Sequence, residues 1–145
     1  MKLVKTARSG HAASAEMTRI EPLRKVYSAW QRGDFRPRAG VYDHDMEWGW
    51  SAEFPGLAGV FRDSGPRSGR MLRWLSSWEH WRVEPEEYIA AGESVVVLTR
   101  YLGRGKGSGV EVDAPGAHLW RMRNGKAVRL EIFSSRERAL DAAGL

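Results

Sequence analysis

The chain has 145 residues, 42% of them hydrophobic, and a formal net charge of +5. That length suits one domain with a core large enough to need no covalent staples. There is no cysteine, which excludes disulfides, thiolate nucleophiles and thiolate metal sites and fits a reducing cytoplasm, where we expect the protein. No apolar run approaches the roughly 20 residues of a membrane span, so no membrane partner is expected. The positive charge raises nucleic acid as a partner. However, Lys2, Lys5 and Arg8 against Glu16 already account for +2 within the first 17 residues, and the remaining arginines alternate with acids. Solvated arginine faces, not a nucleic-acid footprint, are the expectation.

Residues 1–17 are small and polar and are expected to form a flexible lead-in to a domain covering 18–145. Thr18 and Glu21 have the spacing of a capping box, with Pro22 in the early turn, so a helix is expected over 18–32. Its buried face would carry Leu23, Val26, Tyr27 and Trp30, and Gly33 would stop it. A short turn or second helix is expected around Arg36–Tyr42. Met46, Trp48 and Trp50 alternate with Glu47 and Gly49, as in a strand with one aromatic face. Residues 54–65 read as loop, and a helix is expected from Pro66 to Trp78 with Met71, Trp74, Leu75 and Trp78 as its buried stripe. Strands follow over 82–91, 94–103 and 110–123, separated by turns at Gly92-Glu93 and in the stretch 103–109. Asn124-Gly125 is a strong hairpin signal, after which Val128, Leu130 and Ile132 alternate with Arg129, Glu131 and Phe133. A short helix is expected from Ser135 to Ala143, ended by Gly144. Helices first and a strand meander afterwards indicate the α+β class.

The Asn-Gly turn also predicts a register. With regular pairing, Arg121 faces Val128, Leu119 faces Leu130 and Ala117 faces Ile132. On the opposite face His118 meets Glu131 and Trp120 meets Arg129. A turn centred on Gly105-Lys106 likewise sets Arg100 opposite Glu111.

Several stretches carry a family resemblance: Ala29-Trp30-Gln31-Arg32-Gly33-Asp34, Val41-Tyr42-Asp43-His44-Asp45, Gly103-Arg104-Gly105 with Ser108-Gly109, the run Ala117 to Lys126, and Glu137 to Leu145. In their order and spacing, residues 18–145 resemble the SnoaL-like and ketosteroid isomerase-like proteins of the nuclear transport factor 2-like superfamily. The resemblance implies a cystatin-like cone, with helices packed into a strongly curved antiparallel sheet around an apolar pocket, often dimeric through the outer sheet face. It implies polyketide cyclase-like, isomerase or hydratase chemistry by proton transfer on a small hydrophobic molecule, with no cofactor or metal. The alternative is a non-catalytic ligand-binding or dimerisation module of the same fold. The positions matching the steroid isomerases' tyrosine, base and second acid are Val26, Trp50 and Ala117, so that particular mechanism does not transfer.

The candidate catalytic groups are Tyr27, as a donor to a developing oxyanion, and His118 with Glu131 as an acid-base pair. The rival reading of His118 and Glu131 is a cross-strand pair on the convex face, unless a β-bulge near Pro115-Gly116 turns His118 inward. The candidate binding residues are Val26, Trp30, Trp48, Trp50, Trp74, Leu119, Leu130 and Ile132. Seven tryptophans are the strongest compositional sign of an aromatic-walled pocket. Asp43, His44 and Asp45 read as turn capping before a strand. Trp120 and Phe133, placed on the outer face by the regular register, would support a homodimer there.

Overall fold

The turns fall where the sequence puts them, and the sheet follows from the turns. The computed structural model describes residues 3–5, 10–36, 40–51, 59–61 and 73–145. In chain order the elements are β1 (Leu3–Lys5), α1 (Gly10–Trp30), β2 (Tyr42–Trp50), β3 (Gly59–Phe61), β4 (Trp78–Ala91), β5 (Ser94–Gly105), β6 (Glu111–Arg123), β7 (Lys126–Phe133) and α2 (Arg136–Ala142). The strands form one seven-stranded sheet in the order β1-β4-β5-β6-β7-β2-β3. The α+β class is as expected. The sheet is antiparallel except where β1 runs parallel to β4 and β2 parallel to β7.

Helix α1 starts eight residues earlier than the Thr18 cap predicts, so Thr18 and Pro22 lie inside it. Proline removes one backbone donor from a helix interior. The buried stripe Ile20, Leu23, Val26, Tyr27 and Trp30 holds the helix against the sheet regardless, so tertiary packing overrides the local signal. Its end is the expected one. The Gly33 N–H bonds the Trp30 carbonyl and the Asp34 N–H bonds the Ala29 carbonyl, both at 3.0 Å. Gly33 has φ +80, completing a Schellman motif that residues with a Cβ adopt poorly.

The long hairpin β4–β5 turns on Gly92-Glu93, and β6–β7 turns on Asn124-Gly125, with Gly92, Asn124 and Gly125 at positive φ. Of the helix expected over 66–78, residues 73–75 are helical and the part including Met71 lies outside the described residues. Trp78 already belongs to β4. The loop expected over 54–65 also lies outside the described residues apart from β3. Arg100 sits opposite Pro115, not Glu111. It nevertheless finds acids, with Nη1 at 2.6 Å from Asp113 and Nε at 3.5 Å from Glu86.

Two apolar layers result. On the inner face, α1 packs with Val83, Tyr88, Val95, Val97, Tyr101, Trp120, Met122, Leu130 and Ile132. On the outer face, Val96, Ala117, Leu119 and Phe133 pack under Ala139 of α2. Ser135 caps α2, its Oγ accepting from the Arg138 N–H at 3.2 Å. Arg136 then ties the helix down. Its guanidinium donates to the Thr99 carbonyl at 2.7 Å, to the Gly116 carbonyl at 3.2 Å, and to Glu86. Thr99 pairs with Pro85, which has no N–H to offer, so the arginine supplies a donor at the strand's gap. The Arg136 hydrogen bond to Glu86, first among its causes, lowers that carboxyl below its ordinary pKa.

Two stability predictions follow from these contacts. A Cβ on Gly116 would lie 2.1 Å from the Tyr101 ring, and that ring is anchored by its hydroxyl to the Phe133 carbonyl at 2.8 Å. Gly116→Ala is expected to destabilise the fold by about 1–3 kcal/mol in urea unfolding. Arg136→Met, which keeps the stem and deletes the donors, is expected to cost about 1–3 kcal/mol by leaving strand carbonyls unpaired. Amide exchange should show the loss first in α2.

Candidate functional site

One unpaired residue decides which side chains face the interior. Arg123 pairs with Lys126 and Met122 with Ala127, but Arg121 then pairs with Arg129, leaving Val128 as an extra residue. This β-bulge moves every later pair by one position relative to regular alternation. His118 therefore pairs with Ile132, Trp120 with Leu130 and Leu119 with Glu131. The expected faces are corrected accordingly. His118, Trp120, Leu130 and Ile132 share the inner face, while Ala117, Leu119, Arg129, Glu131 and Phe133 share the outer one. The bulge foreseen near Pro115-Gly116 is absent there, since β5 and β6 stay in register through those residues.

Turned inward, His118 meets α1. The Tyr27 hydroxyl lies 2.5 Å from His118 Nδ1, and Trp120 Nε1 donates to the same hydroxyl at 2.7 Å. The three residues are fully buried or nearly so. An indole N–H only donates, so the hydroxyl accepts from Trp120, and among the described residues His118 Nδ1 is the acceptor that remains for the phenol's own proton. Nδ1 is then the acceptor, which places the proton of a neutral imidazole on Nε2. Burial alone lowers the imidazole pKa from 6.5 to about 3, so the ring is neutral at physiological pH. Burial, first among its causes, also raises the Tyr27 phenol well above its ordinary value, so the phenol keeps its proton.

Around this chain the aromatic rings run on continuously. Trp30 stands edge-on to His118 at 5.7 Å between centroids, and Tyr101 lies 5.9 Å from it. From Tyr101 the line passes to Trp81 at 5.9 Å, to Trp74 at 4.6 Å from Trp81, and to Trp50 at 6.0 Å from Trp74. Trp78 packs 5.0 Å from Trp81. These outer four indoles are part-exposed. Trp78 and Trp81 are three residues apart, yet both lie over Gly103, where a Cβ would come within 2.5 Å of the Trp81 ring. An irregularity in the β4–β5 ladder between Glu79 and Arg82, with His80 at φ +57, brings them to one side. A run of part-exposed indoles thus leads inward to a buried imidazole.

Of the predicted site residues, Tyr27, His118, Val26, Trp30, Trp48, Leu130 and Ile132 are brought together in the inner layer, with Trp50 packed against it. Trp74 joins through Trp50. Glu131 does not join. It lies on the outer face, 3.3 Å from Arg129 Nε, whose Nη1 is 2.9 Å from Glu47. The expected His118–Glu131 pair is therefore not formed. Leu119 is also outside, in the layer under α2. Trp120 is buried inside and Phe133 is covered by α2, so neither offers the exposed outer surface from which a dimer was inferred. Trp120, Trp81 and Tyr101 were missed as site residues. The adjacency of Trp78 and Trp81 was their one visible signal.

Asp43, His44 and Asp45 lie within β2, not before it. Their ligand atoms fall within 4.8 Å of one another. The exposed imidazole already has a nitrogen 3.6 Å from Asp43 and 3.2 Å from Asp45. A self-paired exposed trio of this kind is a common surface feature. No helix among the described residues is long and apolar enough to cross a membrane.

The comparisons with known proteins agree with this architecture. A search of the curated proteins found no match. The chain is similar to an NTF2-like protein from Burkholderia thailandensis E264, with 24% identity and a TM-score of 0.68 over 88% of this chain and 97% of that one. It is similar to TerC co-crystallised with polyporic acid, with 22% identity and a TM-score of 0.70 over 88% and 99%. It also resembles a candidate SnoaL-like polyketide cyclase from Jannaschia sp. CCS1, with 15% identity and a TM-score of 0.65 over 96% of each chain. At these identities the likenesses carry the fold. A family model described as a SnoaL-like domain matches residues 23–130, which is most of the length, and the chain belongs to that family.

Proposed function

We propose that this protein binds a small hydrophobic molecule along its indole wall and that His118 acts on it as a neutral hydrogen-bond donor in a proton-transfer reaction. The observation that supports this reading is the chain Trp120 N–H to Tyr27 O–H to His118 Nδ1. It directs the one remaining imidazole proton, on Nε2, away from Tyr27. A pKa of about 3 makes His118 a weak base near neutrality. An uncharged N–H in a buried site is well suited to stabilise a carbonyl oxygen as it gains charge. When a proton leaves the carbon beside that carbonyl for water, the electron pair moves to the oxygen that Nε2–H holds. Tyr27 has both hydrogen-bonding functions occupied, so it acts as a positioning residue. Glu131, paired with Arg129, takes no part. That TerC, a neighbour in fold, was co-crystallised with polyporic acid is in keeping with a small-molecule ligand for this chain.

One observation favours the second reading, a binding module without turnover. Burial is the single cause of the His118 shift, so no carboxylate among the described residues assists the ring. A planar aromatic ketone, 2-acetonaphthone, separates the two readings. In deuterated buffer the first reading expects the protein to accelerate exchange of the ketone's methyl protons, and His118→Gln to abolish the acceleration while saturable quenching of tryptophan fluorescence persists. Quenching without exchange by the native protein would leave the binding module. No saturable quenching would refute both.

The buried neutral imidazole also makes stability depend on pH with a definite sign. Its folded pKa lies below the unfolded value of 6.5, so its contribution is fully present above pH 6.5 and is lost as pH falls toward about 3. Between pH 6 and 5 the loss should approach about 1.4 kcal/mol per pH unit. The groups that face the ring are Tyr27, Tyr101, Trp30 and Trp120, none of them a carboxylate or a second imidazole. His118→Gln is expected to flatten that slope in urea unfolding. An unchanged slope would mean that His118 is not held neutral. Tyr27→Phe, which strands Trp120 Nε1 and His118 Nδ1, is expected to cost on the order of 1–3 kcal/mol for each group left unpaired.

A further inference from the structure

Two buried polar groups near His118 have no partner. Trp30 Nε1 is buried without a hydrogen bond, and so is Thr99 Oγ1. Their residues are 3% and 0% exposed. Buried polar atoms are rarely left unpaired, and one left so costs about 1–3 kcal/mol. Trp30 reaches the imidazole from α1, its ring 5.7 Å from that of His118. Thr99 reaches it from the sheet. It alternates with Val97 and Tyr101, which belong to the inner layer, and it pairs with Gly116, one step along β6 on the same face as His118, which pairs with Val97. The absent side chain of Gly116 gives its space to Tyr101, so Thr99, Tyr101 and His118 share one patch of the inner face by register, and Trp30 packs on the His118 end of it.

We infer that Trp30 Nε1 and Thr99 Oγ1 are specificity-determining groups that, with His118 Nε2, form a polar subsite for an acceptor oxygen of the ligand, such as that of a ketone, quinone or enolate. This rests on the reading of His118 given above and extends it. The indole can only donate, the imidazole is held with its proton on Nε2, and the hydroxyl can adapt. Two obligate donors and one adaptable group suit an oxygen with lone pairs. The two obligate donors meet an ammonium head donor to donor, and a hydrocarbon leaves all three groups unpaired. A site built to hydrogen-bond an oxygen discriminates against the analogue lacking it through the groups it strands. The ligand's apolar body would then lie along the indoles of Trp81, Trp74 and Trp50.

The test compares two probes of one shape, 2-acetonaphthone and 2-isopropenylnaphthalene, in which a methylene replaces the carbonyl oxygen. Binding is read by tryptophan fluorescence in the native chain and in Thr99→Val, Thr99→Ser and Trp30→Phe. The native protein is expected to prefer the ketone. Thr99→Val and Trp30→Phe should each weaken the ketone by about three- to tenfold and leave the hydrocarbon unchanged, while Thr99→Ser restores the ketone. If the native chain binds both probes alike, or if the variants weaken both alike, the subsite is overturned while the hydrophobic pocket stands. If the native chain binds neither, the pocket reading falls and the subsite with it.

Discussion

The extra residue Val128 sets the chemistry of the interior. With regular pairing, His118 and Trp120 would leave the core and Leu119 would enter it. With one residue unpaired, the histidine and the indole are forced into the buried inner layer. There each must find a hydrogen bond or remain at a cost. Tyr27 supplies both from one hydroxyl. The register of a hairpin, the rotamer of a helical tyrosine and the protonation state of an imidazole are thus one linked choice. Removing any of the three leaves the others unsatisfied.

The rest of the fold holds that link in place. The stripe from Ile20 to Trp30 presses α1 on the sheet, and the Schellman turn at Gly33 releases the chain immediately after Trp30. On the far side, Arg136 closes the gap opposite Pro85 and seats α2 over Phe133 and Ala117. Tyr101, bonded to the Phe133 carbonyl and packed over Gly116, connects this outer bracing to His118. The indoles of Trp50, Trp74, Trp78 and Trp81 are only part-buried. They continue the aromatic contacts outward from Tyr101.

Much of this was legible in the residues, and the exceptions have a common cause. Asn124-Gly125, Gly92-Glu93, Gly33 and Ser135 carry their conformations in their own chemistry, so the turns and helix ends they mark were found. Val26, Trp30, Trp48, Leu130 and Ile132 were placed in the interior by periodicity alone. The faces of His118, Leu119, Trp120 and Glu131 were misread because Val128 looks like any strand residue, and alternation continues unbroken through Leu130 and Ile132. A bulge is set by how two strands pair, and no single residue type here announces it. The same holds for Trp78 and Trp81, whose shared side depends on the irregularity at His80. The start of α1 was misplaced for the opposite reason. The local signal, Thr18 with Pro22, does not mark the start, because the helix runs back through it to Gly10.

The most direct test of this account is the state of the His118 ring, read by nitrogen-15 NMR of the imidazole from pH 8 down to pH 5. The account predicts one neutral tautomer throughout, protonated on Nε2 and bare on Nδ1, with no titration in that range. A proton on Nδ1, or an imidazolium forming near pH 6, would contradict the inward register, the role of Tyr27 and the function built on them.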